Sequence, residues 1–389
     1  MNLPFPSPPL RILQLNSLLT GGGTDDQCLK LAAGLGRLGQ EVWIAGPTGR
    51  ELSTTAGRCG VPFHPTPREG PLKLAFILAA ARLIRSHRIQ IVHGHHGRDL
   101  WPTILAARLS GVRPRVVLTR HLAKSPSSWF SRRFLLNRCD ALIAVSAFVA
   151  TVLREGVYEP DSPVEERRSR PPIRGDFSRL RVIHGGIDVE RFAPHDATAQ
   201  RRAWGLEPHH VAFGVVGGYD KPRGKGQREF LRAAAQVAVP DARFLVIGRG
   251  TLAGQLQADL AGLGLAGRAQ LTPWSHDMPA AMNALDCLVH PQVATEASPM
   301  VLLEAMSCGK PVIASRLDGI PESFIDGEQG LLVPPEDVPA LAGALTAVAG
   351  DPVLRARLSR SGRDHVVRHF TLDRLARDVL ALYRELVSA

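Results

Sequence analysis

At 389 residues, with 44% hydrophobic and 21% charged side chains, the chain has the length of two compact domains and is too apolar for a disordered protein. Its five cysteines (Cys28, Cys59, Cys139, Cys287 and Cys308) are odd in number and form no CxxC pair, which argues against a disulfide framework or a zinc knuckle and for a reducing, cytoplasmic setting. Lysine and arginine exceed aspartate and glutamate by 11, a surplus that attracts a phosphorylated substrate or an anionic membrane face; no recognised motif accompanies it, so nucleic acid is not an expected partner.

The start, MNLPFPSPPLRILQL, carries four prolines and no basic stretch before an apolar core, so it does not read as a secretory signal. The apolar segments 74–81 and 141–153 fall short of the ~20 residues needed to span a bilayer. From residue 10 onward, short Val/Ile/Leu runs alternate with helical patterns, as parallel βαβ units do, and the expected class is doubly wound α/β. Strands are expected at 11–15, 41–45, 90–93, 115–119, 141–145 and 180–184. A helix is expected over 24–38, with Thr24 as its N-cap and Gly39 as its stop. Residues 159–176, EPDSPVEERRSRPPIRGD, read as a charged, proline-rich surface insertion. A second series follows at 211–216, 244–247, 269–272, 287–290, 312–315 and 331–333, which places the domain boundary near 188–194. A helix is expected over 372–386.

In open parallel sheets ligands bind beyond the carboxyl ends of the strands, so the residues there are the candidates. Gly21-Gly22-Gly23 can bring backbone amides and a helix terminus to an anion, or can simply be a flexible turn. No GxGxxG follows a strand; Gly248-Arg249-Gly250 with Gly254 is misspaced, so a nicotinamide cofactor is not expected. His121 can hydrogen-bond a sugar hydroxyl or stabilise developing charge; a structural histidine is the alternative. The cluster His93-Gly94-His95-His96 lacks a carboxylate or cysteine at zinc-type spacing, and no metal site is expected. In GGYDKPRGKGQREF, Lys221, Arg223, Lys225 and Arg228 lie among glycines that let several cations meet one diphosphate. In HPQVATEASPMVLLEAMSCGKPVIAS, Ser298 and Pro299 are expected to open a helix ending near Cys308, with amides near Met300 and Val301 facing an anion. Glu296 precedes this helix. Glu304 lies inside it among apolar residues, where a carboxylate needs a partner.

The two glutamates within EASPMVLLEAMSCGKPVIASRLDGIPE resemble the signature of the retaining glycosyltransferases of the GT-B fold, specifically the family-4 (group 1) type. The glycine turn, His121, HGGIDVERFAP at 184–194, Lys225-Gly226 and LVIGRG at 245–250 agree in order, so the resemblance covers nearly the whole chain. It implies two Rossmann-like domains, 1–190 and 191–371, facing a central cleft, with helix 372–389 crossing back to the first. It also implies a nucleotide-diphosphate sugar as donor, with Glu304 on the ribose hydroxyls, Glu296 on the transferred sugar, and Lys225 and the amides of Met300 and Val301 on the diphosphate. His121 would lie beside the sugar, and Gly22 and Gly23 near the phosphate or acceptor. Gly217, Arg223 and Pro299 complete the expected donor site; His121, Glu296 and Lys225 form the expected catalytic set, with no metal and no cofactor.

Retention comes with the family, and a front-face route is expected because no carboxylate is placed as a nucleophile. Two departures stand out: Gly218 occupies a position where many relatives carry arginine, so either Arg223 or Arg228 substitutes or the phosphate is bound more weakly, and Ala297-Ser298-Pro299 replaces a common Phe-Gly pair. A catalytically silent GT-B protein that binds nucleotide sugar or a partner, and a sugar epimerase on the same fold, are the alternatives. The acceptor is expected to be a glycan or lipid-linked saccharide in lipopolysaccharide or surface-polysaccharide assembly. The basic, aromatic stretch Trp129, Phe130, Arg132, Arg133, Phe134 and Leu135 reads either as a contact with the inner face of an anionic membrane or as a half-buried core helix.

Overall fold

A computed structural model describes residues 8–19, 23–48, 60–67, 73–156 and 171–389. The chain forms two α/β units, Met1–Gly186 with Leu372–Ala389, and Ile187–Thr371.

In the first unit the elements run β1 (Arg11–Leu15), α1 (Gly23–Arg37), β2 (Glu41–Pro47), β3 (Phe63–Thr66), α2 (Leu74–Ser86), β4 (Ile91–Gly94), α3 (Leu100–Leu109), β5 (Arg115–Arg120), α4 (Trp129–Phe134), β6 (Ala141–Ala144), α5 (Ala147–Glu155) and β7 (Leu180–Val182). Seven parallel strands lie in the order β3-β2-β1-β4-β5-β6-β7. Strand order therefore reverses between β1 and β4, and their carboxyl ends flank the crevice where such sheets bind ligands. Strand β3, absent from the sequence reading, contains Pro65 and sits at the sheet edge, where a missing amide costs no central ladder bond.

The second unit contains α6 (Thr198–Ala203), β8 (Val211–Val216), α7 (Gln227–Ala234), β9 (Ala242–Ile247), α8 (Ala253–Gly262), β10 (Ala269–Thr272), α9 (Met278–Ala284), β11 (Cys287–His290), α10 (Met300–Ser307), β12 (Val312–Ser315), β13 (Leu331–Val333), α11 (Val338–Gly350) and α12 (Pro352–His369). Its six parallel strands lie in the order β10-β9-β8-β11-β12-β13. Successive strand residues point to opposite faces, so Phe213, Val215, Phe244 and Val246 enter one core and Ala212, Val216, Leu245 and Ile247 the other. Both faces are buried, which explains the continuous apolar runs. Helix α10 closes the second face through Leu302, Leu303, Ala305 and Met306.

The units divide between Gly186 and Ile187, a little before the expected 188–194. The Ile187 amide donates to the Phe370 carbonyl (2.7 Å), tying the start of the second unit to its end. Helix α13 (Leu372–Ser388) then packs on the first unit. Tyr383 is buried there with its hydroxyl 2.6 Å from His93 Nδ1, and Arg374 donates to the carbonyls of His184 (2.8 Å) and Gly185 (2.7 Å). Of the expected insertion 159–176, residues 159–170 lie outside the described residues.

Candidate active site

In the second unit the order reverses between β8 and β11, and the segments leaving these two strands meet. Gly226 has φ +82°, and a Cβ there would lie 1.8 Å from the Pro291 carbonyl oxygen. Only glycine allows the loop after β8 to lie directly on the chain leaving β11. Gly248, at the end of β9, plays the same part against the loop's start: a Cβ would lie 2.1 Å from the Gly217 oxygen. Gln227 fastens the loop from inside, accepting from the Lys225 amide (2.6 Å) and donating to the Gly218 carbonyl (3.4 Å).

These contacts bring Lys225 Nζ to 3.0 Å from Glu296 Oε2, although the two are 71 residues apart in sequence. The Glu296 segment is held in turn by Asp318, whose carboxylate accepts from the Glu296 amide (3.1 Å), and by the Gly319 amide, which donates to the Glu296 carbonyl (3.2 Å). His290, the last residue of β11, is buried with Nε2 3.6 Å from the same Oε2. Sequence reasoning assigned His290 no role. Its place at the end of a central strand, six residues before Glu296, was the available signal.

Burial by itself would raise the Glu296 carboxyl, but His290 and the charge and hydrogen bond of Lys225 outweigh it and hold the group down at about 2. Burial pushes His290 in the direction of neutrality and the Lys225 charge adds to this, together outweighing the opposing pull of Glu296. At neutral pH the cluster is therefore one carboxylate, one ammonium and a neutral imidazole. Neither ring nitrogen of His290 has a partner at normal hydrogen-bond length among the described residues. Glu296 can accept from hydroxyls, and Lys225, whose side chain is about a third exposed, has donors to spare for an anion.

The remaining expected residues fall as follows. Gly217 (φ +143°) approaches Lys225, whose Cδ would be 2.9 Å from an added Cβ. Helix α10 begins at Met300, followed by Val301, with Pro299 as its N-cap in extended conformation and no side-chain cap. The expected opening by Ser298, with Pro299 as first helical residue, is thus shifted by one, because Pro299 takes ψ 98° rather than a helical value. Thr24 is likewise inside α1, which begins at Gly23. Glu304 is half-buried one turn into α10. Of the two arginines expected to replace the missing one at Gly218, Arg223 pairs with Glu336 (2.5 Å) and Arg228 with Asp259 (2.7 Å).

His121, the remaining expected catalytic residue, belongs to the first unit, immediately after β5. It joins a histidine cluster at the carboxyl ends of β1, β4 and β5. The rings of His93 and His95 stack at 4.2 Å, and His95 and His121 lie 5.9 Å apart. His93 bonds Tyr383 and Thr119 (both 2.6 Å), His95 bonds Gln14 (2.6 Å), and His96 reaches Asp25 (3.2 Å), which also accepts from Asn16 (2.8 Å). Burial, reinforced by His96 and Arg120 against the opposing pull of Asp25, lowers His121 to about 3. It is neutral at physiological pH, so of the two roles read from the sequence it is suited to hydrogen bonding and not to supplying positive charge. Its Nε2 is buried without a partner among the described residues. Gly23 is exposed at the start of α1; Gly22 lies outside the described residues.

A family model described as "Glycosyl transferases group 1" matches residues 210–351, and one described as "Glycosyltransferase Family 4" matches residues 21–165. The chain is 33% identical over 339 residues to D-inositol 3-phosphate glycosyltransferase of Mycobacterium marinum, covering 80% of this chain and 68% of that protein. This chain belongs to the group 1 glycosyltransferases. The glycosyltransferase is also 28% identical over 306 residues to the lipopolysaccharide core biosynthesis mannosyltransferase LpsB of Rhizobium meliloti, covering 77% and 80% of the two chains. Its fold is GT-B: the crystal structure of Anabaena HepE in complex with UDP superposes with a TM-score of 0.79 at 20% identity, over 97% of this glycosyltransferase and 100% of that chain.

Proposed function

We propose that this glycosyltransferase moves a sugar from a nucleotide-diphosphate sugar to a glycan or lipid-linked acceptor, with retention of anomeric configuration and without a divalent metal. The observation that carries the reading is the Lys225–Glu296 pair at 3.0 Å, built at the carboxyl ends of the second sheet. Two relatives support it by their names, LpsB as a mannosyltransferase of lipopolysaccharide core biosynthesis and HepE by its complex with UDP. The cellular role in this reading is lipopolysaccharide or surface-polysaccharide assembly, on the cytoplasmic side of an anionic membrane. Among the described residues no helix is long and apolar enough to cross a membrane.

In this mechanism the diphosphate is the leaving group, and negative charge grows on it as the glycosidic C–O bond breaks. Lys225, turning a donor from Glu296 to a phosphate oxygen, and the N-terminus of α10 oppose that charge from fixed positions. Glu304 holds the ribose hydroxyls and Glu296 the transferred sugar. A carboxylate held near 2 by Lys225 and His290 is a good hydrogen-bond acceptor and a poor base, so it orients hydroxyls and does not take the acceptor's proton. That proton passes to the departing phosphate oxygen while the acceptor oxygen bonds to the anomeric carbon on the same face. Neutral His121 donates or accepts one hydrogen bond at the sugar.

The test is turnover of UDP-, GDP- and ADP-sugars in excess EDTA, with the product's anomeric proton followed by NMR. Sustained turnover with the donor's configuration kept is expected. An inverted product, loss of turnover on chelation, or isomerised donor formed without acceptor would each refute a part of it.

Gly218 provides a second check. Gly218 is exposed and a Cβ there meets nothing closer than 3.8 Å, so a side chain can start beside the Lys225 loop without a clash. Gly218→Arg is expected to lower the donor KM by about tenfold, the scale of one added charge-assisted contact. A raised KM would show that the diphosphate lies elsewhere.

A further inference from the structure

The chain's charge is concentrated. Between Lys73 and Cys139 there are thirteen lysines and arginines and one acid, Asp99, a surplus of twelve where the whole chain's is eleven. The rest of the protein is therefore close to neutral.

The same stretch carries an unusual share of exposed apolar side chains. Trp129 is 67% exposed and Phe130 52%, and α4, which they open, buries none of its residues. Ser131, Arg132 and Phe134 are half-buried and Leu135, which follows, is buried, so the helix rests on the unit by one side and presents Trp129 and Phe130 outward, with the Ser131 amide capped by the Ser128 side chain. On α3, Leu105 is 41% and Leu109 52% exposed, and on α2, which packs against α3, Leu74 is 56% exposed. Helices α3 and α4 are joined by Trp101, whose ring lies 4.8 Å from Phe130 and whose indole N–H donates to Ser131 (2.9 Å). Beside them lies a groove of about 420 Å³ lined by Trp101, Leu105, Phe130, Phe134, Arg108 and Arg138.

A nucleic acid would meet the charge but would leave the exposed leucines, tryptophan and phenylalanine in water. A second copy of the chain would set this cationic surface near another strongly cationic one. An anionic bilayer satisfies both features, since phosphates meet the guanidinium groups while the aromatic and aliphatic side chains enter the headgroup–acyl boundary. We infer that the face formed by α2, α3 and α4 docks on an anionic lipid bilayer, with the groove beside Trp101 receiving one lipid chain. This deepens the membrane part of the proposed function, and binding is measured without turnover, so the two fail separately.

The experiment is co-sedimentation of the full chain with vesicles of phosphatidylcholine alone or with 30% phosphatidylglycerol, using Trp129→Ser/Phe130→Ser and Arg108→Glu/Arg133→Glu as variants. Wild type is expected to bind the anionic vesicles and not the neutral ones, with binding falling as salt rises. Arg108→Glu/Arg133→Glu is expected to bind about tenfold or more weakly, at about 1 kcal/mol per lost cation near the surface, and Trp129→Ser/Phe130→Ser to bind about tenfold or more weakly through the apolar area it no longer inserts. Unchanged thermal unfolding and donor binding would show that these variants keep the fold. Equal binding to both vesicle types, or wild-type binding by both variants, overturns the inference. So does binding of a duplex oligonucleotide in place of vesicles, or a dimer abolished by Trp129→Ser/Phe130→Ser in a chain that ignores vesicles.

Discussion

Glu296→Gln and Lys225→Ala each lower kcat/KM for the donor by about 10² or more, the usual cost of losing one oriented charge at a centre where charge develops. The two losses have different signatures. Lys225→Ala leaves a buried carboxylate beside a neutral His290, so Glu296 moves up from about 2 toward its ordinary value, a change visible in the carboxyl 13C shift. Glu296→Gln frees the Lys225 ammonium, so nucleotide diphosphate alone binds at least as tightly as in wild type while transfer falls, because the sugar is no longer oriented. The two side chains touch, so their effects are coupled, and the double variant should lose far less than the 10⁴ of independent sites. Full turnover by either single variant, or simple multiplication in the double, would show that the pair is not part of the reacting site.

Acid will dismantle the first unit sooner than an ordinary α/β domain. Burial lowers His93 to about 3, with His121 adding to it, lowers His121 to about 3, and lowers His95 well below its usual value with help from His93 and His121. Groups whose folded values are depressed contribute stability that is complete above the unfolded value near 6.5 and is lost as pH falls through the window from 6.5 toward 3. Three such histidines take up three protons only on unfolding, so stability falls by ~4 kcal/mol per pH unit once the unfolded chain is protonated. Against a total of ~5–15 kcal/mol, the unit should unfold near pH 4–5. Urea midpoints followed through the first unit's tryptophans, Trp43, Trp101 and Trp129, measure this. A midpoint unchanged from pH 6.5 to 4.5 would mean that the imidazoles are hydrated. His121→Asn should flatten the slope by about a third.

The strands 211–216, 287–290 and 312–315 were legible residue for residue, because central strands buried on both faces carry nearly unbroken apolar runs, and 11–15, 269–272 and 331–333 match as well, the last two as partly exposed edge strands. Strand β3 was not, because FHPT carries a proline and a histidine and is held by one neighbour at an edge. In the site, Lys225 and Glu296 were read through family likeness, but their 3.0 Å contact depends on Gly226 lying against Pro291, which no local pattern encodes. The ion pairs of Arg223 and Arg228 were hidden for the same reason. Their partners Glu336 and Asp259 are 113 and 31 residues away in sequence, and only the folded chain sets which anion each cation meets. The histidine cluster was visible as a motif, but its burial, which sets its charge, was not.

The most direct measurement is a crystal structure of this glycosyltransferase soaked with an intact nucleotide-diphosphate sugar. The account predicts diphosphate density within hydrogen-bond reach of Lys225 and the first turn of α10, with the sugar at Glu296 and the ribose at Glu304. Donor density bound away from these three side chains would contradict it.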